Sequence, residues 1–299
     1  MLPLMAASGT KPAIYPYAAE LRRELSLRNR AYAARHGLLN RESYGEQPVI
    51  CYLPAEDGSA HGNFLPETYH AILQNENWRK RLNKVHAQAQ GSLPREDRRW
   101  CELDSSNSSD ALLMNIFCFP GTSKNDRLFD LLGIERGQIP SFGVKARVPL
   151  MDGKVDRTEI DMRLADLLVE AKLTESDFQS AEVDMVDRYR DFDEAFERRI
   201  LPREGNRYQS YQLIRSVLAA HANNCSFCVM ADARRPDLME AWFAVMRCVR
   251  IAGLRLRCKM ITWQELTGVL PRKLRLFFAE KYGIAARGRV EFSPESLCS

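Results

Sequence analysis

The chain has 299 residues, 45% hydrophobic and 27% charged, with a formal net charge of +4. That length supports a sizeable core without staples, and no run reaches the ~18 apolar residues that a membrane-spanning helix needs. The opening Met1-Leu-Pro-Leu-Met-Ala-Ala7 lacks the basic flank of a signal peptide, and eight cysteines scattered through apolar patterns favour buried thiols over disulfides, so a cytoplasmic protein is expected.

In chain order, Tyr17 to Arg35 reads as a basic amphipathic helix and Gln47 to Leu53 as a short strand closed by Pro54. Pro66 at a helical start, followed by Tyr69, Ile72, Leu73 and Trp78, predicts a helix from Leu65 to Ala89. One face of it carries Arg79, Lys80, Arg81, Lys84 and His86, either an ordinary solvated surface or a set of phosphate contacts. Ser108 or Ser109 caps the next helix, which runs through the apolar Ala111–Phe119. Asp110 falls in its first turn, where complementing the helix dipole explains it as well as a role at a site does.

A meander follows. Phe142 to Leu150 alternates imperfectly as a strand, Asp152-Gly153 turns, Lys154 to Met162 resumes, the chain reverses around Leu164–Asp166, and Leu167 to Leu173 returns. With a period of two, Glu170 and Lys172 share one face of the returning strand, as Glu159 and Asp161 do in the strand before it. A hairpin that sets Asp161 beside Glu170 gathers two carboxylates and an ammonium around one point, where a hard divalent cation relieves repulsion and desolvation. The plainer alternative is a structural ion-pair network, and pattern alone leaves both open.

Glu175 to Arg199 reads as mostly helical, and Tyr208 to Ala220 as a helix whose end carries His221. Ser226 to Ala231 reads as a buried strand, Asp237 to Val249 as a helix, and Leu254 to Thr262 as a strand with Arg255, Arg257 and Lys259 on one face. Helices over Glu265–Leu270 and Pro271–Lys281 complete the pattern. Alternation of helix and strand after a meander argues for an α/β protein with a mixed sheet. Met151 to Ile200 holds fifteen acids and eight bases, while Arg247 to Arg289 holds eleven bases and two acids. A carboxylate-rich centre beside a basic flank suits phosphodiester chemistry, though sequence asymmetry need not be spatial. Cys225-Ser-Phe-Cys228 lacks the partners of a zinc set, and no P-loop, dinucleotide fingerprint or serine-nucleophile motif occurs, so no nucleotide cofactor is expected.

Asp161 followed by Glu170-Ala171-Lys172 resembles the PD-(D/E)xK signature, with Ile160 where that pattern has proline. The element order is similar to that of the restriction-endonuclease-like nuclease superfamily. Arg147-Val-Pro-Leu, Gly153-Lys-Val-Asp156, Leu168-Val-Glu170-Ala-Lys172-Leu-Thr-Glu175, Tyr211-Gln212-Leu-Ile-Arg215 and Asp232-Ala-Arg-Arg-Pro-Asp237 resemble bacterial restriction endonucleases over roughly residues 100–285. The resemblance implies a three-layer core with a central mixed sheet flanked by helices (residues 101–299); residues 1–100 read as a mainly helical extension whose aromatic and basic helices could clamp DNA. The resemblance also implies Asp161, Glu170 and the Ala171 carbonyl as ligands of Mg²⁺, with Mn²⁺ as substitute, and Lys172 orienting or deprotonating the attacking water. Asp110, or failing it Glu102, would complete the metal shell; Glu159, Gln212 and Arg215 are accessory candidates. Arg255, Arg257, Lys259, Arg79, Lys80 and Lys84 are candidates for binding the nucleic acid.

The expected function is Mg²⁺-dependent endonucleolytic cleavage of DNA, with RNA an open alternative and cleavage of both strands calling for a homodimer or sequential nicks. The competing reading keeps the fold without hydrolysis, as a nucleic-acid-binding module or a defence-system interaction protein.

Overall fold

A computed structural model of the chain describes residues 17–43, 48–85 and 101–286. Its elements are α1 (Tyr17–His36), β1 (Asn40–Glu42), β2 (Ile50–Tyr52), α2 (Pro66–Gln74), α3 (Glu76–Arg81), α4 (Ser109–Phe117), α5 (Asp126–Leu132), β3 (Ser141–Lys145), β4 (Val148–Pro149), β5 (Val155–Asp156), β6 (Glu159–Leu164) and β7 (Leu167–Ala171). Then come β8 (Ser180–Glu182), α6 (Val183–Val186), α7 (Phe192–Ala195), β9 (Arg203–Glu204), β10 (Arg207–Gln209), α8 (Tyr211–Ala222), β11 (Ser226–Ala231), α9 (Pro236–Met246), α10 (Ala252–Leu256), β12 (Cys258–Thr262), α11 (Trp263–Thr267) and α12 (Arg272–Tyr282).

The centre is a five-stranded sheet in the order β12-β11-β7-β6-β3. β3, β6 and β7 form the expected antiparallel meander, while β7, β11 and β12 run parallel, so the sheet is mixed. Buried side chains cover both faces. Leu167, Val169 and Ala171 enter one core with α1, α4, α5, α11 and α12; Leu168 enters the other with α8 and α9. Because β7 is buried on both faces, it reads as a continuous apolar run until Glu170.

Several sequence expectations need correction. The helix expected over residues 65–89 divides at Asn75, whose side chain accepts from Asn77 N and Trp78 N and caps a new helix that ends at Arg81, so Lys84 lies beyond it; residues 86–89, with His86, lie outside the described residues. The strand expected over residues 142–150 stops at Lys145, and β4 pairs instead with β5 as a separate small hairpin. Arg147 at φ 54° turns the chain between the two. Residues 175–199 hold only short helices beside a small sheet in the order β8-β10-β9. Tyr208 belongs to that sheet, and α8 begins at Tyr211. α5 falls in a stretch for which no element is predicted. Among the described residues, no helix is long and apolar enough to cross a membrane. Cys51, Cys118, Cys225, Cys228, Cys248 and Cys258 are free thiols.

Candidate active site

β6 and β7 pair in the register Met162↔Val169, Arg163↔Leu168, Leu164↔Leu167. The paired register ends at Met162↔Val169, and Asp161 and Glu170 are the next residues beyond it on the two strands. The reversal is tight, closing on Ala165-Asp166 with Ala165 at φ 55°, which fixes the register over this short hairpin. Asp161 Oδ2 accepts from Ala171 N at 2.8 Å, so the carboxylate spans the gap between the strands. In an extended strand a residue's N–H and C=O point to the same side, so the Ala171 carbonyl is also directed toward β6. Glu170 and Lys172 are only 3% and 5% exposed, and Lys172 Nζ donates to Glu170 Oε1 at 2.8 Å. Desolvation alone would lower the Lys172 pKa, but Glu170, Glu175 and Asp161 outweigh it and hold the ammonium above its ordinary range. Asp161 goes the other way: desolvation first, then the Glu170 and Asp110 carboxylates, push its pKa well up.

Asp110 reaches this group from the first turn of α4. Ser108 caps that helix, accepting from Ala111 N, so the cap is settled on Ser108. Asn115 moors the helix by donating to Asn63 O and Ala111 O while accepting from Leu65 N. Asp110 is 3% exposed and bound by Arg81 Nη2 at 2.5 Å. The same guanidinium donates to Glu159 Oε1 at 2.6 Å, and Lys84 Nζ lies 2.8 Å from Glu159 and 2.9 Å from Glu102. Desolvation would raise Glu159, but hydrogen bonds from Lys84 and Arg81 bring it below its ordinary value; Glu102 is raised by burial and by Asp110.

Residues 31–283 match the model of the family described as a restriction endonuclease associating with ARP. The chain belongs to this restriction endonuclease family. No curated protein and no solved structure matches it.

Among the described residues of this restriction endonuclease family member, no three His, Cys, Asp or Glu side chains are already grouped to hold a metal ion. The donor chemistry nevertheless fits one. Asp161, Glu170 and Asp110 carry hard oxygen donors, and the Asp161 pKa is raised by desolvation first and then by the Glu170 and Asp110 carboxylates. Gln212, in the first turn of α8, has a buried Oε1 with no hydrogen-bond partner among the described residues. Arg215 is buried over the Tyr211 ring and reaches the Glu159 backbone carbonyl at 3.4 Å, not the carboxylate.

The basic candidates do not share one surface. Arg79 and Lys80 are exposed on α3, with Lys80 paired to Glu76, and Lys84 is drawn into the acidic cluster. Arg255, Arg257 and Lys259 do not share a strand face: Arg255 lies in α10, Arg257 caps it, and Lys259 alone is in β12, donating to Leu132 O. Since β7, β11 and β12 are parallel, Arg255 and Arg257 stand at the end of the sheet where β7 begins, opposite Glu170 and Lys172.

Sequence reasoning missed the supports of the site. Glu175 accepts from Ser109 Oγ and from Leu173 N, tying α4 to the turn after β7. Arg235, fully buried, donates to the carbonyls of Leu173, Glu175 and Ser176 and to Asp237. Trp263 Nε1 donates to the Lys172 carbonyl at 2.9 Å. The contacts of Ser109 with Glu175, of Arg235 with the three carbonyls and of Trp263 with Lys172 join residues far apart in sequence, and no local spacing announces them; Pro236 after Arg235 signals only a helix start.

Proposed function

We propose that this chain is a divalent-metal-dependent endonuclease of the PD-(D/E)xK kind, hydrolysing phosphodiester bonds of DNA. The observation that carries the reading is the Asp161 carboxylate bonded to Ala171 N, the residue between the hydrogen-bonded and buried Glu170 and Lys172, with Asp110 within electrostatic reach. Asp161, Glu170, the Ala171 carbonyl and Asp110 would hold Mg²⁺, or Mn²⁺ in its place. The chemistry a divalent cation brings to such a set is Lewis acidity and a lowered pKa for water. Lys172 remains protonated at neutral pH, which suits it to neutralise charge on a scissile-phosphate oxygen and to orient water rather than to abstract its proton. Glu170 fixes the ammonium through their hydrogen bond, and burial of the pair strengthens the interaction by limiting water.

The decisive assay is cleavage of plasmid DNA by the purified chain. EDTA should abolish cutting, Mg²⁺ or Mn²⁺ should restore it, and Glu170→Gln or Lys172→Met should lower the rate at least ~10²-fold with the circular dichroism spectrum unchanged. Undiminished cleavage by the double variant would end this assignment. A second reading has its own support: Arg81 and Lys84 already neutralise Asp110 and Glu159, as they would in a DNA-binding module without hydrolysis. That reading expects salt-sensitive DNA affinity and no product with any divalent ion. The family's description also names an association with ARP, and we extend that protein partner to this chain as a proposal that co-purification can test.

A further inference from the structure

Resting on the metal-dependent reading above, the geometry points to Arg81 and Lys84 as a resident counter-cation pair that competes with the divalent ion for Asp110. The guanidinium of Arg81 holds Asp110 at 2.5 Å and Glu159 at 2.6 Å, and its side chain is 7% exposed. Lys84 stands 3.7 Å from Asp110 and within 2.9 Å of both Glu102 and Glu159. The fold keeps room for this arrangement. Gly143, at φ +66°, passes under the pair, and a Cβ there would stand 2.5 Å from Arg81 Nη1 and 3.2 Å from the Glu159 carboxylate. A side chain at residue 143 is therefore incompatible with the guanidinium in its present place.

The cluster falls into two electrostatic halves. Arg81 and Lys84 face the three acids Asp110, Glu159 and Glu102, while Lys172 is bonded to Glu170 beside Asp161. A divalent cation drawn to Asp161 and Glu170 thus meets an Asp110 oxygen already committed to a buried guanidinium. Arg81 and Lys84 both stand on the same oxygen, Asp110 Oδ2, and the competition acts through charge: repulsion between the divalent ion and the guanidinium opposes ligation by Asp110 while Arg81 stays in place. Lys84, with a side chain 31% exposed, has access to solvent and to a polyanion's phosphates, which would pull the pair away from the carboxylates. α3 in this position restrains metal loading, and substrate binding is the natural means of lifting the restraint.

Calorimetric titration of Mn²⁺ into the full chain without DNA tests this. Arg81→Gln should bind Mn²⁺ about tenfold more tightly than the wild type, a small part of the interaction between unit charges at this separation. Lys84→Gln should shift the same way by less, and Mn²⁺ should raise the thermal midpoint of Arg81→Gln more than that of the wild type. Should Arg81→Gln not fold, Lys84→Gln carries the comparison, since its side chain is partly exposed. Equal or weaker Mn²⁺ binding by the variants, with clear binding by the wild type, overturns the competition and leaves the nuclease reading standing. No Mn²⁺ binding by any of the chains, or binding that survives in Asp161→Asn/Glu170→Gln, overturns both.

Discussion

Asp161 accepts from Ala171 N, and burial and two neighbouring carboxylates act on its charge. Its folded pKa is raised by desolvation and then by Glu170 and Asp110, so the folded state holds this proton more tightly than the unfolded chain does. The linked stability is complete below the ordinary carboxylate pKa of about 4 and is lost as pH rises through the raised value. In metal-free protein, Asp161→Asn should therefore be more stable than the wild type at pH 7 by on the order of 1 kcal/mol, with the gap closing toward pH 4. Its amide oxygen can still accept from Ala171 N. Urea unfolding at the two pH values reads the effect, and a wild type more stable at pH 7 contradicts it. Asp161, Glu170 and Lys172 were legible because strand periodicity assigns faces without any knowledge of the fold. Asp110 was not separable from a helix-dipole acid, because both descriptions place a carboxylate in the first turn.

At the level of elements, the turn after β7 decides where Lys172 can point. Arg235 binds three of its carbonyls and grips Asp237 with the same planar fork, so the start of α9 is riveted to the end of β7. Lysine keeps the charge but cannot make these directional bonds together. Arg235→Lys is expected to cost about 2 kcal/mol in urea unfolding, chiefly from carbonyls left unsatisfied in a buried setting. A loss within a few tenths of a kcal/mol would show that the carbonyls find other donors. The run from Leu254 to Thr262 shows why local pattern misleads. Its apolar and basic residues alternate from Leu254 to Met260, yet the first turn is helical, because Leu254 is buried against α8 and Arg257 closes that helix before β12 begins. Asn75, inside the single helix expected over residues 65–89, likewise ends one helix and caps the next.

At the scale of the molecule, α1 and α12 lie together on one core, Leu21 and Leu25 joining Leu274, Phe277, Phe278 and Tyr282. Lys281 stands at the seam. It is fully buried, donates to Asn29 Oδ1 at 2.7 Å and lies 3.6 Å from the centre of the Tyr52 ring. Desolvation holds its pKa well below that of an ordinary lysine. The unfolded chain therefore binds the proton more readily, and stability rises with pH from the depressed value toward about 10. Lys281→Met should remove that dependence. Between about pH 7 and pH 9 the wild type should gain on the variant, by at most about 1.4 kcal/mol per pH unit. Parallel unfolding curves at both pH values, with a constant difference between the chains, would rule out a neutral lysine at this seam.

The sequence by itself determined the meander, the faces of its strands and the αβ alternation after it, because hydrophobic periodicity and turn chemistry are local. It also placed Asp161, Glu170 and Lys172 as one candidate group. Only the tertiary structure decided that Arg81 and Lys84 share the acidic cluster, that Arg255 and Arg257 lie at the other end of the sheet, and that Arg235 and Trp263 brace the strand end. Charge attracts across space rather than along the chain. Which cation meets which carboxylate is thus settled by packing, after the helices have docked on the sheet.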